Sequence, residues 1–235
     1  MAQHEALTQE ITEHLARLLK RTAELKTFLA FTQTADTSSA GWLSGSRDAR
    51  ALAIVCTMAE LEALVKNALQ RTHEELNKSA ITLRSLIPSM RQVVAHTEFE
   101  SLRTLQDHGK MWEKRSYTTT LEQCVDLAKF PIERKHPQPP LDGKTLKPEH
   151  FFRIWQIYKL PEDPFPDQRW PGALQKMALA RNDIAHGNLP YHEIFQQAGR
   201  SVPDIEGYVS RVGDFAGHFV RVWNKYLRGE MYLMQ

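Results

Sequence analysis

Arg181, Asn182, Asp183 and His186 stand close together in the stretch ALARNDIAHGNLPYH, residues 178–192, on what otherwise reads as an apolar helix. Their side chains suit the handling of an anion. Arginine's planar fork meets two oxygens of a carboxylate or a phosphate at once. Histidine is the side chain that titrates near neutral pH. Asn182 and His186 are four residues apart and so share one flank of a helix. At 3.6 residues per turn, Leu174 lies about 20° from Arg181, and Met177 and Ala185 about 40°. The arginine therefore sits inside the apolar stripe, His186 about 140° away from it, and Asp183 points toward solvent. A guanidinium cannot shed its charge, and burying one without a partner is costly. Either an acid of the core pairs with Arg181, or this face is not dry. Glu62 is the acid the sequence offers, because it borders the stripe of Met58, Val65 and Leu69. Its alternative partner is Lys66, four residues on, in an exposed pair worth about 0.3–0.5 kcal/mol. His186 also fits a plain structural role, as an imidazolium at a helix C-terminus.

The elements that must position these residues are helical. Apolar positions recur at helical spacing over 3–31 (Leu7, Ile11, Leu15, Leu18, Leu25, Leu29) and over 47–70 (Ile54, Met58, Leu61, Val65, Leu69). The small and polar residues of 32–46 read as a loop. Shorter helices are predicted over 73–87, 96–107 and 119–129. A helix is predicted from Pro171 to His186, with Gly187 as its stop. The last helix follows Pro203, with Asp204 as N-cap and a stripe running from Tyr208 to Tyr226 that has Trp223 at its edge. Nowhere does a period of two stand out. The expected fold is all-α, with residues 1–46 as an N-terminal helix and loop and 47–235 as the main helical domain. Nine of the twelve prolines fall within 131–171, which excludes long helices from most of that segment. One helix fits inside it, over 148–158. Residues 131–170 are therefore expected to be an ordered, proline-rich insert anchored by aromatic side chains.

Composition narrows the function classes. The 235 residues are 42% hydrophobic and 25% charged, an ordinary globular balance. A net charge of +2 argues against non-specific duplex binding but leaves room for a local basic patch. Two cysteines without CxxC spacing suggest neither a disulfide framework nor a cysteine-based zinc site. No signal-peptide core or membrane-spanning run is visible, so a cytoplasmic protein with no membrane role is expected. HExxH, Walker and GxSxG patterns are all absent, which removes the usual zinc-protease, P-loop and serine-hydrolase readings. His14, His73, His96 and His108 lack metal-ligand spacing and are expected at the surface.

RNDIAHG, with four residues between Arg181 and His186, resembles the signature of the HEPN superfamily. That signature is an arginine, four to six residues and a histidine, often with a polar residue straight after the arginine. AIVCTMAELEALVKNAL resembles the long early helix of these domains, which often carries an acid where Glu62 stands. The signature also lies late in the chain and is followed by one more long helix, as in the family. The resemblance covers 47–71 and 171–228, and the motif looks closest to HEPN proteins of bacterial defence and toxin systems.

The resemblance implies a HEPN-like helical bundle and a metal-independent endoribonuclease without a cofactor. It assigns Arg181 to the scissile phosphate, His186 to proton transfer, and Asn182 to orienting the imidazole or binding phosphate. Glu62 would support them. The products would be a 2′,3′-cyclic phosphate and a 5′-hydroxyl. The family pairs two such motifs across a two-fold dimer, so a homodimer acting on RNA is expected, with an antitoxin or defence-system protein as a further partner. Tyr191 lies too far past His186 to carry the family's modified tyrosine. Lys144, Lys147 and Arg153, interleaved with Phe151, Phe152 and Trp155, form a candidate RNA-contacting surface; aromatics simply plugged into the core fit that segment as well. A catalytically silent HEPN-like module that binds nucleotide, RNA or a partner protein fits the same residues.

Overall fold

In the computed structural model, the structure describes residues 4–35, 42–107, 109–111, 123–132, 138–187 and 191–234. The described residues form α1 (Glu5–Ala35), α2 (Trp42–Lys78), α3 (Pro88–Val94), α4 (His96–Thr104), α5 (Pro148–Tyr158), α6 (Arg169–His186), α7 (Tyr191–Ile194) and α8 (Val202–Arg228), with a 3₁₀ turn at Leu83–Ser85. The fold is all-α. Among the described residues, no helix is long and apolar enough to cross a membrane.

The long helices follow from their apolar stripes. Leu7, Ile11, Leu18, Leu25 and Leu29 of α1 are all buried and belong to the same core as α2 and α8. α2 buries Ile54, Met58, Leu61, Val65 and Leu69, and it is longer than the periodicity predicts. The piece expected at 73–87 is absorbed as far as Lys78, because Thr72, His73 and Leu76 continue the buried face and no proline or glycine interrupts it. α1 packs along α2 and α8, and α6 packs against both α2 and α8. Gly213 of α8 faces α1: a Cβ there would meet Leu19 Cδ2 at 3.4 Å.

Several expectations need correction. Trp223 is fully buried, not at an edge, and its indole donates to Thr72 Oγ1 at 3.0 Å. α8 begins at Val202, one turn earlier than predicted, with Ser201 as N-cap. Asp204 is instead the residue whose carboxylate reaches back to the Ser201 N–H at 3.1 Å, in a capping box. Of the helix expected at 119–129, residues 119–122 lie outside the described residues. Over 123–129 the chain is not helical but runs beside the 3₁₀ turn, with the Leu83 N–H donating to the Asp126 carbonyl at 2.9 Å.

The proline-rich segment is joined to the core through α5. Phe151, Ile154, Trp155 and Tyr158 are buried. The Phe151 ring stands edge-on to Phe215 of α8 at 4.5 Å, and Tyr158 lies 4.8 Å from Trp223. A polar link comes from His73, which is wholly buried rather than at the surface. Its Nδ1 stands 2.8 Å from the Pro131 carbonyl and 2.7 Å from the Gln138 side-chain nitrogen, and its Nε2 stands 2.6 Å from the Tyr158 hydroxyl. Burial lowers the His73 pKa to about 4 and raises that of Tyr158.

Candidate functional site

α6 carries the motif at its C-terminal end. Its N-terminal turn tolerates Pro171, and its buried face is Ala173, Leu174, Met177, Ala178 and Ala180, small enough for close packing on α2 and α8. The helix ends where Gly187 turns left-handed at φ 60° and ψ 30°. Toward that end the helix leaves the core. Arg181, Asn182, Asp183 and Ile184 are half-buried, while Ala185 and His186 are exposed.

The four polar residues divide into two tied and two untied. Asn182 Oδ1 accepts a hydrogen bond from the Thr145 hydroxyl at 2.6 Å, which leaves its amide N–H groups to donate elsewhere. Asp183 does not point to solvent as expected. It pairs with Arg200 at 2.7 Å, and that guanidinium is only 11% exposed. Arg200 also donates to the Ile194 carbonyl at 3.2 Å, while its own carbonyl accepts from Arg50 at 2.8 Å. The chain at 194–200 is thus fastened back onto α6 and α2. Arg181 and His186, by contrast, form no hydrogen bond or ion pair with any described residue. A guanidinium fork and an imidazole thus remain unengaged near one helix end, about 140° apart on an ideal helix, the first of a type that grips two oxygens of an oxyanion and the second of a type that moves protons.

Glu62 does not stand as a partner of Arg181. It is half-buried on α2, its Oε1 is shielded from solvent without a hydrogen-bond donor, and it pairs with neither Arg181 nor Lys66. Lys144 and Lys147 flank Thr145, so the chain segment bearing them passes beside Asn182. Arg153 turns back into its own segment, donating to the Pro140 carbonyl at 3.3 Å and lying 3.8 Å from Asp142. Phe151 and Trp155 are buried, and only Phe152 of that aromatic group is exposed. Among the described residues, no three His, Cys, Asp or Glu side chains stand together as a metal site. Sequence reasoning missed Thr145 and Arg200. Neither shares a helix with the motif, and periodicity does not choose among hydroxyls or cations in loops.

The comparison with protein families gives one match. The sequence model of the RiboL-PSP-HEPN family matches residues 16–212. It runs from α1 through the proline-rich segment to α8, and so covers more of the chain than the motif helices alone. No match was found among curated proteins or among solved structures. An all-α bundle, an RNDIAHG motif at the end of α6 and a match over most of the length agree: the chain belongs to the RiboL-PSP-HEPN family of the HEPN superfamily.

Proposed function

We propose that the chain is a metal-independent endoribonuclease in which Arg181 binds the scissile phosphate and His186 transfers the proton. One observation carries this reading: in a chain of this family, the arginine and histidine of the motif are the polar motif residues that have no hydrogen-bond or ion-pair partner among the described residues. The imidazole takes the proton of a ribose 2′-hydroxyl, and the 2′-oxygen bonds to phosphorus. The bond to the 5′-oxygen breaks, and that oxygen leaves with a proton as a 5′-hydroxyl. Arg181 holds two phosphate oxygens as charge builds on them. Asn182, fixed by Thr145, supplies an amide N–H to the phosphate or the imidazole. One arginine and one histidine make a sparse site. A two-fold dimer that brings the α6 ends together would add the partner's His186 as the proton donor. Within this reading the chain is an effector of a bacterial defence or toxin system, held in check by a partner protein.

Purified protein incubated with total RNA, with and without EDTA, tests the proposal. Cleavage that survives EDTA and leaves cyclic-phosphate ends is the expected result. Intact RNA with dimeric, folded protein overturns it, and cleavage abolished by EDTA overturns the metal-free mechanism.

A further inference from the structure

One flank of α6 carries more than the motif. Lys176, Leu179, Asp183 and His186 follow at spacings of three, four and three residues, so they lie in one row along the helix. Lys176, Leu179 and His186 are exposed there. At the far end of the row from His186 is a cleft of about 110 Å³, between α6, the 197–200 loop and Tyr208 of α8. Lys176 Nζ donates to the Tyr208 hydroxyl at 3.1 Å and forms no ion pair with a carboxylate among the described residues. Arg211 lies over the same phenol ring at 6.0 Å and interacts electrostatically with Asp167. The Tyr208 hydroxyl, accepting from Lys176, keeps its own O–H to donate. Gly199 shapes the wall: it sits at φ 78°, and a Cβ there would come within 3.0 Å of Tyr208 Oη. Arg200 is the next wall residue, and Asp183 holds it in place.

The cleft's size selects its occupant. It holds the bulk of roughly four water molecules, enough for a tetrahedral anion, and is well below the roughly 300 Å³ at which organic ligand pockets begin. Its polar side chains are Lys176, Arg200, Tyr208 and the amide of Gln197, with no carboxylate on the wall. Lys176 precedes Arg181 by five residues and His186 by ten, about 7.5 and 15 Å of helix rise. At roughly 3.4 Å of rise per nucleotide, that spans about two to four nucleotides.

We propose that this cleft, through Lys176 and Tyr208, holds a backbone phosphate of the RNA strand a few nucleotides away from the scissile one. The inference rests on the ribonuclease reading above. It gives that reading a reason to favour longer substrates, because a dinucleotide reaches the motif but not the cleft.

The test uses full-length His186→Ala protein binding a 2′-O-methyl oligonucleotide of about ten residues, with Lys176→Gln or Tyr208→Phe added. Melting temperature serves as the control for folding. Lys176→Gln is expected to weaken binding at low salt and to lower the slope of log K against log[salt] by about 0.7, the loss of one phosphate contact on a single strand. In the otherwise wild-type background it should raise KM for long RNA and leave the rate on a dinucleotide unchanged. Unaltered affinity and salt slope in the Lys176→Gln protein overturn the subsite while leaving RNA cleavage standing. Protein that neither binds nor cleaves any RNA overturns the ribonuclease reading itself. Inorganic phosphate and a nucleoside monophosphate form the remaining arm. A response to them that depends on Lys176, without any effect of Lys176 on RNA, assigns the cleft to a small phosphate compound and overturns the strand contact.

Discussion

His186 is exposed and has no partner among the described residues, so its removal separates chemistry from folding. His186→Ala is expected to slow cleavage roughly 10²–10⁴-fold, the usual loss of a general acid–base group, with the melting temperature unchanged. Arg181→Lys keeps the charge but loses the two-oxygen fork and should stay largely inactive. Combining His186→Ala with Arg181→Ala should cost far less than the product of the two losses, because both residues act in one transition state. Cleavage rates and melting curves on the same preparations decide the matter, and a folded, fully active His186→Ala protein sinks the mechanism. The three motif residues were legible in the sequence because they sit within two turns of one helix, where spacing fixes their relative directions. The direction of Asp183 was misread for an equally physical reason. Helical geometry places it opposite the core of α6 but is silent about Arg200, 17 residues later, which folds back to cover it. Glu62 shows the same limit from the other side: its place beside the stripe was readable, but the absence of a donor for its shielded oxygen was not.

At the scale of elements, the end of α6 depends on one backbone conformation. Gly187 adopts φ 60°, and an added Cβ would meet nothing within 4 Å. Gly187→Ala therefore incurs the left-handed penalty alone, about 1–2 kcal/mol, with no clash to add to it. For a chain of this length that lowers the melting temperature by roughly 2–8 °C. Gly187→Asn should recover part of the loss, since asparagine tolerates this conformation better. Cleavage is expected to fall in Gly187→Ala and to return in Gly187→Asn, because His186 is the last helical residue and shifts with the cap. An unchanged melting temperature in Gly187→Ala would contradict this account of the helix end. Caps and stripes are local signals, which is why α1, α5 and α6 stand within a few residues of their predicted limits. α2 was cut short at its C-terminal end because no glycine or proline there marks where it stops, and at its N-terminal end because Gly45 among serines reads as loop although the helix starts at Trp42. The 119–129 segment was misassigned because pairing with the distant 3₁₀ turn, rather than its own periodicity, sets its backbone from 123 onward.

The whole molecule joins its proline-rich segment to the bundle through aromatic packing on α8 and through the buried His73 link, and this makes folding pH-dependent. His73 is neutral in the folded chain, with its pKa lowered to about 4 from 6.5 by burial. Protonation would also make both ring nitrogens donors, and Nδ1 then faces the Gln138 amide nitrogen, itself a donor, at 2.7 Å. The sign follows from linkage. Above pH 6.5 both folded and unfolded chains carry a neutral histidine, and the contribution to stability is complete. Below 6.5 the unfolded chain takes up a proton that the folded chain refuses, so stability falls until the folded chain also protonates near pH 4. Between pH 6.5 and 5, above the usual carboxylate range, the loss approaches about 2 kcal/mol. His14 and His218 are lowered in the same direction by burial, so a comparison is needed to assign the slope to His73. His73→Gln removes the titrating group. It should be less stable at pH 7.5, because the links to Pro131 and Tyr158 are disturbed, yet lose less of what remains as the pH falls to 5. Urea unfolding of the two proteins across that range is the measurement. Parallel pH profiles would mean that the other histidines, and not the link between α2 and the proline-rich segment, set the acid sensitivity of this fold.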